Sequence, residues 1–232
     1  MKKTAPLLAL LVLGAAGTVA RAEVSSTLTL ASDYDFRGVT QSALDPAFQA
    51  SLDWSGESGF YAGAWASNVD FGPGTAADVE LDLLVGYTGN VNDDFSYDVG
   101  VTRYNYFDDA DDGDYQEFYA GFAYKMFSAK VWYTDSYFNS GDAGSYFEAN
   151  LDVPLPNDFA LSFHVGRSSG DYWDNAYGDG YTDYSVGVTK TVGSFELGLK
   201  WVDGSDLAYD RTTDANSADR KALVTVSTTL PW

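Results

Sequence analysis

Acidic side chains occupy alternate positions along many stretches of this sequence, and apolar side chains fill the positions between them. Glu80 and Asp82, for example, alternate with Leu81 and Leu83. Successive side chains of an extended strand point to opposite faces, so such a stretch would have one acidic face and one apolar face. Acidic groups around a wet lumen would concentrate cations and repel anions. The residues that we predict to line such a lumen are Asp33, Asp35, Arg37, Glu80, Asp82, Asp98, Glu117, Lys130, Glu148 and Lys200.

The same residues allow a second interpretation, in which the interior is closed. Ionised groups in a dry core would be very costly, so the acidic face must be either wet or extensively paired. Arg37, Lys130 and Lys200 could bridge the carboxylates in a packed network that leaves no pore. The conducting lumen and the plugged network are therefore both hypotheses at the level of the sequence.

Two further features could carry chemistry, and both have a simpler explanation. His164, the only histidine, lies two positions from Ser162 and would share its face, as in a membrane hydrolase. A catalytic triad needs three groups in mutual reach, and the sequence has no G-x-S-x-G elbow, so we predict no enzyme and interpret His164 as a polar lumen residue.

The acidic run Asp108–Asp114 fails the spacing of an EF-hand, because Ala110 occupies its third position. A solvated loop is the expectation there, with Ca²⁺ binding as the alternative, and no cofactor is predicted.

The elements that would position these residues are strands throughout. Alternation with period two runs from Val24 to Trp232 and divides into about twelve strands. The last strand, Ala222–Trp232, has one mainly apolar face and ends on an aromatic residue. Short and long connections alternate, which is typical of an outer-membrane barrel with short periplasmic turns and longer extracellular loops. The pattern therefore predicts an all-β fold, an antiparallel up-and-down transmembrane β-barrel with both termini on the periplasmic side.

Aromatic residues lie near both ends of the predicted strands, where a membrane barrel carries a girdle at each interface. The predicted periplasmic girdle contains Trp54, Phe60, Tyr87, Phe95, Tyr124, Phe127, Phe159, Phe195 and Trp232. The predicted outer girdle contains Tyr34, Phe36, Tyr104, Tyr106, Tyr137, Tyr146 and Tyr184. The alternative is a soluble sandwich with these aromatics in its core, but a sandwich does not need long and short connections in strict alternation.

The beginning of the chain has the features of a signal peptide. Lys2 and Lys3 precede a mostly apolar stretch, Pro6–Val19, and Ala20-Arg21-Ala22 fits the small-x-small cleavage rule. The apolar stretch is too short for a membrane helix with these flanks. We therefore predict a signal peptide over residues 1–22, one barrel domain over residues 23–232, and a location in the outer membrane of a Gram-negative bacterium.

The composition narrows the range of partners. The chain has 13 Lys and Arg against 34 Asp and Glu, a formal net charge of -21, which argues against nucleic acid and disfavours anionic ligands. It contains no cysteine, so a large hydrogen-bonded or packed unit must hold the fold. Aromatic residues make up 16%, which separates the chain from disordered acidic sequences. The expected partners are outer-membrane lipid and lipopolysaccharide, the barrel assembly machinery, and small solutes or cations.

The first predicted hairpin and its neighbour resemble a known family. The run SDYDFRGVTQS at 32–42 is followed by DPAFQ at 45–49, GFYAGAWASNVDF at 59–71 and ELD at 80–82. These motifs are similar to the TorF-type porin family, a proteobacterial family long known as conserved hypothetical proteins, over about residues 32–87. The resemblance implies an outer-membrane barrel, and it brings no functional residues to carry over.

These observations predict a porin-like channel with an acidic lumen, which passes cations or small neutral solutes by passive diffusion. Two alternatives come from other functional classes. One is a non-conducting structural or adhesive barrel whose acidic outer loops bind a partner or Ca²⁺. The other is an outer-membrane hydrolase that depends on His164. Conductance separates the first prediction from the second.

Overall fold

The fold is a closed β-barrel, seen in a computed structural model that describes residues 22–73, 75–108, 113–205, 207 and 214–232. Twelve strands pair in one antiparallel ring, so the predicted all-β barrel and its strand number are confirmed. The described strands are β1 (Glu23–Ala31), β2 (Asp35–Phe36), β3 (Val39–Thr40), β4 (Ala47–Ser55), β5 (Phe60–Asn68), β6 (Val79–Asn90), β7 (Phe95–Phe107), β8 (Tyr115–Tyr124), β9 (Phe127–Thr134), β10 (Gly144–Leu155), β11 (Phe159–Ser169), β12 (Tyr181–Val192), β13 (Phe195–Ser205) and β14 (Lys221–Pro231).

The last strand closes the ring. β14 pairs with β1 from Ser25–Pro231 to Ala31–Thr225, and β1 pairs with β4 on its other side. The backbone N–H of Trp232 also donates to the carbonyl of Val24, at 2.9 Å. Every barrel strand therefore has two neighbours, which removes the exposed edges that an open sheet would present.

The connections alternate in length around the barrel. The short ones, at 56–59, 91–94, 125–126, 156–158 and 193–194, lie at what we call the turn end, together with both termini. The long ones join strands at the opposite end, the loop end, where their described residues are 32–46, 69–73, 75–78, 108, 113–114, 135–143, 170–180, 207 and 214–220. Two short helices belong to the loop end, a 3₁₀ helix at Tyr137–Asn139 and α1 at Asp171–Tyr177. Neither of these described helices is long and apolar enough to cross a membrane.

The polarity of the barrel is the reverse of that of a soluble protein. Outward side chains such as Leu52 and Leu199 are 54% and 53% exposed, whereas the inward carboxylates of Asp98 and Glu117 belong to residues that are 2% and 0% exposed. An apolar outer face and a polar inner face along every strand are the pattern of a membrane barrel. The inner face is therefore where functional side chains must be sought.

Candidate functional site

The first long connection folds into the barrel as a hairpin made of β2 and β3, which we call the lumen hairpin. Its two turn residues, Arg37 and Gly38, have φ angles of 53° and 82°. Positive φ at both central residues is the signature of a type I′ turn. A Cβ atom at position 38 would lie 2.6 Å from the Cβ of Asp183, so glycine lets the tip of the hairpin approach β12 closely.

Arg37 carries the contact of the lumen hairpin with the opposite wall. Its Nη1 and Nη2 donate to Oε1 and Oε2 of Glu117 on β8, at 2.8 and 2.6 Å. Tyr104 donates from Oη to Oε2 of Glu117 at 2.9 Å, and Tyr181 donates from Oη to the carbonyl of Arg37 at 2.9 Å. The hairpin starts beside β1. Glu117 lies on β8, which is five strands from β1 in one direction around the ring and seven strands in the other. The hairpin therefore crosses the lumen almost completely.

Aromatic rings surround the guanidinium group of Arg37. Its Cζ lies 4.3 Å from the ring centre of Tyr146, 4.6 Å from that of Phe36 and 5.6 Å from that of Trp132. Cations are attracted to aromatic faces at these distances, and a bidentate carboxylate adds directional hydrogen bonds. We call the barrel residues of this pocket the guanidinium cage, namely Tyr104, Glu117, Trp132 and Tyr146.

The base of the lumen hairpin is held by a second group of charges. Lys221 on β14 places Nζ 3.1 Å from Oδ2 of Asp33 and 3.0 Å from Oδ1 of Asp35. Lys200 on β13 lies 3.9 Å from Oδ2 of Asp35, and the hydroxyl of Thr40 donates to Asp33. Acidic residues before the turn are thus tied to the barrel wall, while Arg37 is tied to the far side.

A third group lies around Asp98 on β7. Lys130 on β9 donates from Nζ to Oδ2 of Asp98 at 2.8 Å, and Tyr61 donates from Oη to Oδ1 at 2.5 Å. The hydroxyls of Tyr61 and Tyr119 lie 2.6 Å apart. Lys130 also lies 4.5 Å from the ring centre of Tyr119 and 5.1 Å from that of Trp132. The indole of Trp132 is therefore shared by two cations, Lys130 and Arg37.

A chain of polar contacts links Trp132 to His164. Trp132 donates from Nε1 to Oε1 of Glu148 at 2.9 Å, and Asn150 donates from Nδ2 to Oε2 of the same carboxylate at 3.4 Å. This fixes the amide so that Oδ1 of Asn150 faces Nδ1 of His164, at 2.6 Å. Nε2 of His164 lies 2.8 Å from Oδ1 of Asp183. Both ring nitrogens therefore face an oxygen acceptor in the lumen.

Glu80 and Asp82 on β6 are less completely satisfied. Glu80 is 2% exposed and accepts a hydrogen bond from Oη of Tyr106 at 3.2 Å. Within the described residues, Oε2 of Glu80 and Oδ1 of Asp82 are buried without a hydrogen-bond partner. No group of three or more His, Cys, Asp or Glu in the described part of the chain is placed to hold a metal ion.

A cluster of buried aromatic residues lies at the loop end. Tyr115 stacks on Tyr104 at 4.6 Å between ring centres, and Trp173 of α1 lies 5.3 Å from Tyr137 and 4.9 Å from Tyr181. Burial raises the pKa of Tyr137, so its phenol stays neutral. The predicted outer girdle is therefore wrong for most of its members. Those that lie buried inside instead are Tyr34, Tyr104, Tyr106, Tyr137 and Tyr146, with Phe36 packed against them, whereas Tyr184 is 38% exposed.

Comparison with known proteins assigns the chain to a family. The model of a family described as a bacterial protein of unknown function (Gcw_chp) matches residues 15–230. The chain belongs to the Gcw_chp family. No curated protein matches the sequence significantly. The family description names no activity, so we infer the function of the chain from the geometry of its lumen.

Solved structures similar to this Gcw_chp chain include porins. A KdgM porin matches with a TM-score of 0.56 and 8% identity, covering 90% of this chain and 99% of the porin. A NanC porin in a rhombohedral crystal form matches with a TM-score of 0.55 and 10% identity, covering 88% and 97%. A KdgM porin in complex with disordered oligogalacturonate matches with a TM-score of 0.53 and 9% identity, covering 89% and 98%. At these identities the similarity shows the fold alone.

The structure places all ten predicted lumen residues inside the barrel and joins most of them in the three groups above. Their role in lining a conducting path stays a prediction, and so does the TorF-type family name. Participants that the prediction omitted are Tyr61, Tyr119, Trp132, Tyr146 and Lys221. The alternation of their strands places them on the inward face, but their types did not single them out beside the carboxylates.

The other two candidate sites gain no support from the geometry. The ring nitrogens of His164 contact Asn150, Tyr146 and Asp183, and none of these described partners is Ser162. Residues 109–112 of the predicted acidic loop lie outside the described residues. Its last member, Asp114, accepts from the backbone N–H of Tyr106 at 2.8 Å, which is a structural role.

Proposed function

We propose that the chain is an outer-membrane porin-like channel that passes cations or small neutral solutes by passive diffusion. The observation that carries the proposal is the polarity of the closed twelve-stranded ring, which is apolar outside and lined with ionisable and hydroxyl groups inside. A barrel of this size is wide enough to leave room beyond its side chains. A purely structural barrel could fill its interior with apolar residues at lower cost.

The charges of the lumen support a preference for cations. The inward carboxylates among the described residues include Asp33, Asp35, Asp53, Glu80, Asp82, Asp98, Glu117, Glu148, Asp152, Asp183 and Glu196. The inward Lys and Arg side chains among the same residues are Arg37, Lys130, Lys200 and Lys221. Paired carboxylates lose most of their effect on a passing ion. The excess of carboxylates nevertheless lowers the energy of a cation in the lumen and raises that of an anion.

A second candidate function, a non-conducting barrel, is favoured by one observation. The lumen hairpin crosses the ring and is tied at both ends, at Lys221 and at Glu117. In this candidate the hairpin is a permanent plug, and the protein serves the membrane as a structural or adhesive element. In the channel proposal the hairpin narrows the lumen and sets its selectivity.

Recording currents across a planar bilayer tests the channel proposal. The refolded protein is placed between two KCl solutions of different concentration, and the reversal potential is measured. A cation preference is expected, and it should weaken as ionic strength rises, because the Debye length is only about 10 Å at 0.1 M. Asp94→Asn, at an exposed turn-end residue outside the lumen, is the matched control and should leave the reversal potential unchanged.

Two outcomes would reject the proposal. A wild-type channel that prefers anions would contradict the acidic lumen. A folded barrel that never conducts would favour the non-conducting candidate.

For both candidate functions we expect outer-membrane lipid and lipopolysaccharide to contact the apolar outer face of the barrel. We also expect export through the predicted signal peptide, followed by assembly by the barrel insertion machinery.

A further inference from the structure

We propose that the guanidinium cage is a recognition site for a guanidinium-bearing organic cation, and that Arg37 occupies this site at rest as a tethered stand-in for that ligand. The inference rests on the proposed channel function and names the class of solute that the channel favours. It is carried by the side chains around Arg37, since these belong to the barrel wall and remain when the lumen hairpin moves away.

The geometry of the cage fits a planar cation with two donors on one edge. Glu117 accepts two parallel hydrogen bonds, at 2.8 and 2.6 Å, from the two terminal nitrogens of Arg37. The rings of Tyr146 and Trp132 lie 4.3 and 5.6 Å from the guanidinium carbon. A planar guanidinium can form the fork and stack on aromatic faces at once, whereas an ammonium is a compact charge without this edge.

When Arg37 is absent, the carboxylate of Glu117 loses its bidentate partner and stays available in the cage. Glu117 is 0% exposed, and its remaining hydrogen bond in the cage comes from Tyr104. Lys130 lies 5.1 Å from the ring of Trp132 but donates to Asp98, so it is engaged elsewhere. Glu148, which accepts from Trp132, adds a second carboxylate behind the cage. A buried and unpaired carboxylate is unfavourable, so the vacated cage attracts another cation.

For a ligand to enter, the short element that carries Arg37 must release its contacts with Glu117 and Lys221. The lumen hairpin contributes only two pairs of residues to its own ladder, and Arg37 holds a positive φ of 53° at its turn. Phe36 belongs to the hairpin and would leave with it, which opens one side of the cage. Because Arg37 is tethered, it competes with a dissolved ligand at an effective concentration of the order of millimolar or higher. A free guanidinium compound therefore binds far better once Arg37 has been removed.

The test uses titration calorimetry on the refolded full barrel. The Arg37→Ala variant is titrated with methylguanidinium and, as the matched probe, with methylammonium at the same ionic strength. We expect methylguanidinium to bind and methylammonium to bind at least about tenfold more weakly, since it lacks one charge-assisted hydrogen bond of the fork. Equal binding of the two probes, or no binding of either, would overturn the proposal.

Two further variants locate the binding. Adding Glu117→Gln to Arg37→Ala should weaken methylguanidinium binding about 10- to 100-fold, because the charged acceptor is lost. Adding Glu196→Gln instead neutralises another buried lumen carboxylate, on β13, and should change binding less than about twofold. Equal losses in the two double variants would show attraction by lumen charge alone and would overturn the assignment to the cage.

Folding and conduction give independent readouts. If Arg37→Ala does not form a heat-modifiable barrel by itself, refolding with millimolar methylguanidinium should restore the barrel, and methylammonium should not. Restoration by neither probe, or by both equally, would count against the cage. Selective binding by a barrel that never conducts would reject the channel and keep the site, whereas a conducting barrel without selective binding would keep the channel and reject the site.

Discussion

The two ends of the lumen are built differently. At the loop end, Tyr115 and Tyr181 are 2% and 1% exposed and pack with the lumen hairpin as in the core of a soluble protein. Toward the turn end, the inward positions carry small residues such as Gly198, Thr225 and Ser227, and the last inward residue of β14, Thr229, is exposed. The difference shows that packed aromatic side chains fill the loop end, whereas small inward residues leave the turn end less densely packed.

The largest effect is expected where the lumen hairpin meets the far wall. Glu117→Ala leaves the guanidinium of Arg37 buried without its carboxylate, since the two side chains are 0% and 6% exposed. Breaking a buried pair costs about 3–5 kcal/mol. The free energy of unfolding, measured by urea titration of the refolded barrel, should fall by that amount. Thr225→Ala, at an inward position of β14 toward the turn end, is the control and should change the free energy of unfolding by less than about 0.5 kcal/mol. Equal losses of stability in Glu117→Ala and Thr225→Ala would contradict the difference in packing between the two ends of the lumen.

The aromatic cluster gives the next effect. Trp173 on α1 is 6% exposed and contacts Tyr137 and Tyr181. Its replacement by alanine should cost about 3 kcal/mol through lost packing. Thermal stability of the heat-modifiable band on a gel reports the loss. Trp54→Ala, on the outward face of β4 at the turn end, is the comparison, and it should not loosen the loop end in limited proteolysis.

Alanine substitutions at two glycines should give a smaller difference in the free energy of unfolding between the packed region and the turn end. A Cβ at Gly100 would lie 2.3 Å from Oη of Tyr119 and 2.7 Å from the carbonyl of Val85, so Gly100→Ala should cost about 1–3 kcal/mol. A Cβ at Gly198 would meet Oγ1 of Thr225 at 2.3 Å, and that hydroxyl can rotate away. Gly198→Ala should therefore cost less than Gly100→Ala. Unfolding titrations of both variants measure the difference, and a reversed order would contradict the packed character of the Tyr61–Tyr119 group.

The smallest expected effect is on selectivity. Glu80→Gln combined with Asp82→Asn replaces two inward carboxyl groups with neutral amides, and the unsatisfied oxygens of the carboxyl groups indicate that stability should not suffer. The reversal potential in a KCl gradient should move toward zero, because fewer carboxylates attract cations. Lys190→Gln, which changes a residue hydrogen-bonded to the carbonyl of Asn157 at the turn end, is the control. An unchanged potential in the double variant would place the selective region away from β6.

The sequence predicts the barrel well because the necessary information is local. Alternation with period two sets the face of each residue, and connection length sets which end of the barrel it approaches, so the twelve strands and the closing pair of β1 and β14 follow. The same parity places Tyr104 and Tyr146 inside, on the face of Thr102 and Glu148. Their assignment to an outer girdle was wrong because position along the strand was given more weight than face.

The alternation of polar and apolar residues does not predict the lumen hairpin. The alternating pattern of β1 continues through Asp33 and Asp35, but the chain leaves the wall after Ala31 and turns inward. The Arg37–Gly38 pair signals a turn, yet the direction of that turn is decided by Glu117, Lys221 and Asp183, which are distant in sequence. Helix α1 was likewise missed, because a short helix depends on the burial of Trp173.

The central claim is that the lumen hairpin crosses the barrel and limits conductance through the contact of Arg37 with Glu117. Reversing the charges of these two residues tests this claim most directly. Single-channel conductance is compared between the wild type, Arg37→Glu, and Arg37→Glu combined with Glu117→Arg. We expect a larger conductance for the single variant, because two facing carboxylates expel the hairpin, and a return toward the wild-type value in the double variant, because the pair is restored with exchanged partners. Equal conductance of the wild type and the single variant, or no recovery in the double variant, would contradict the claim.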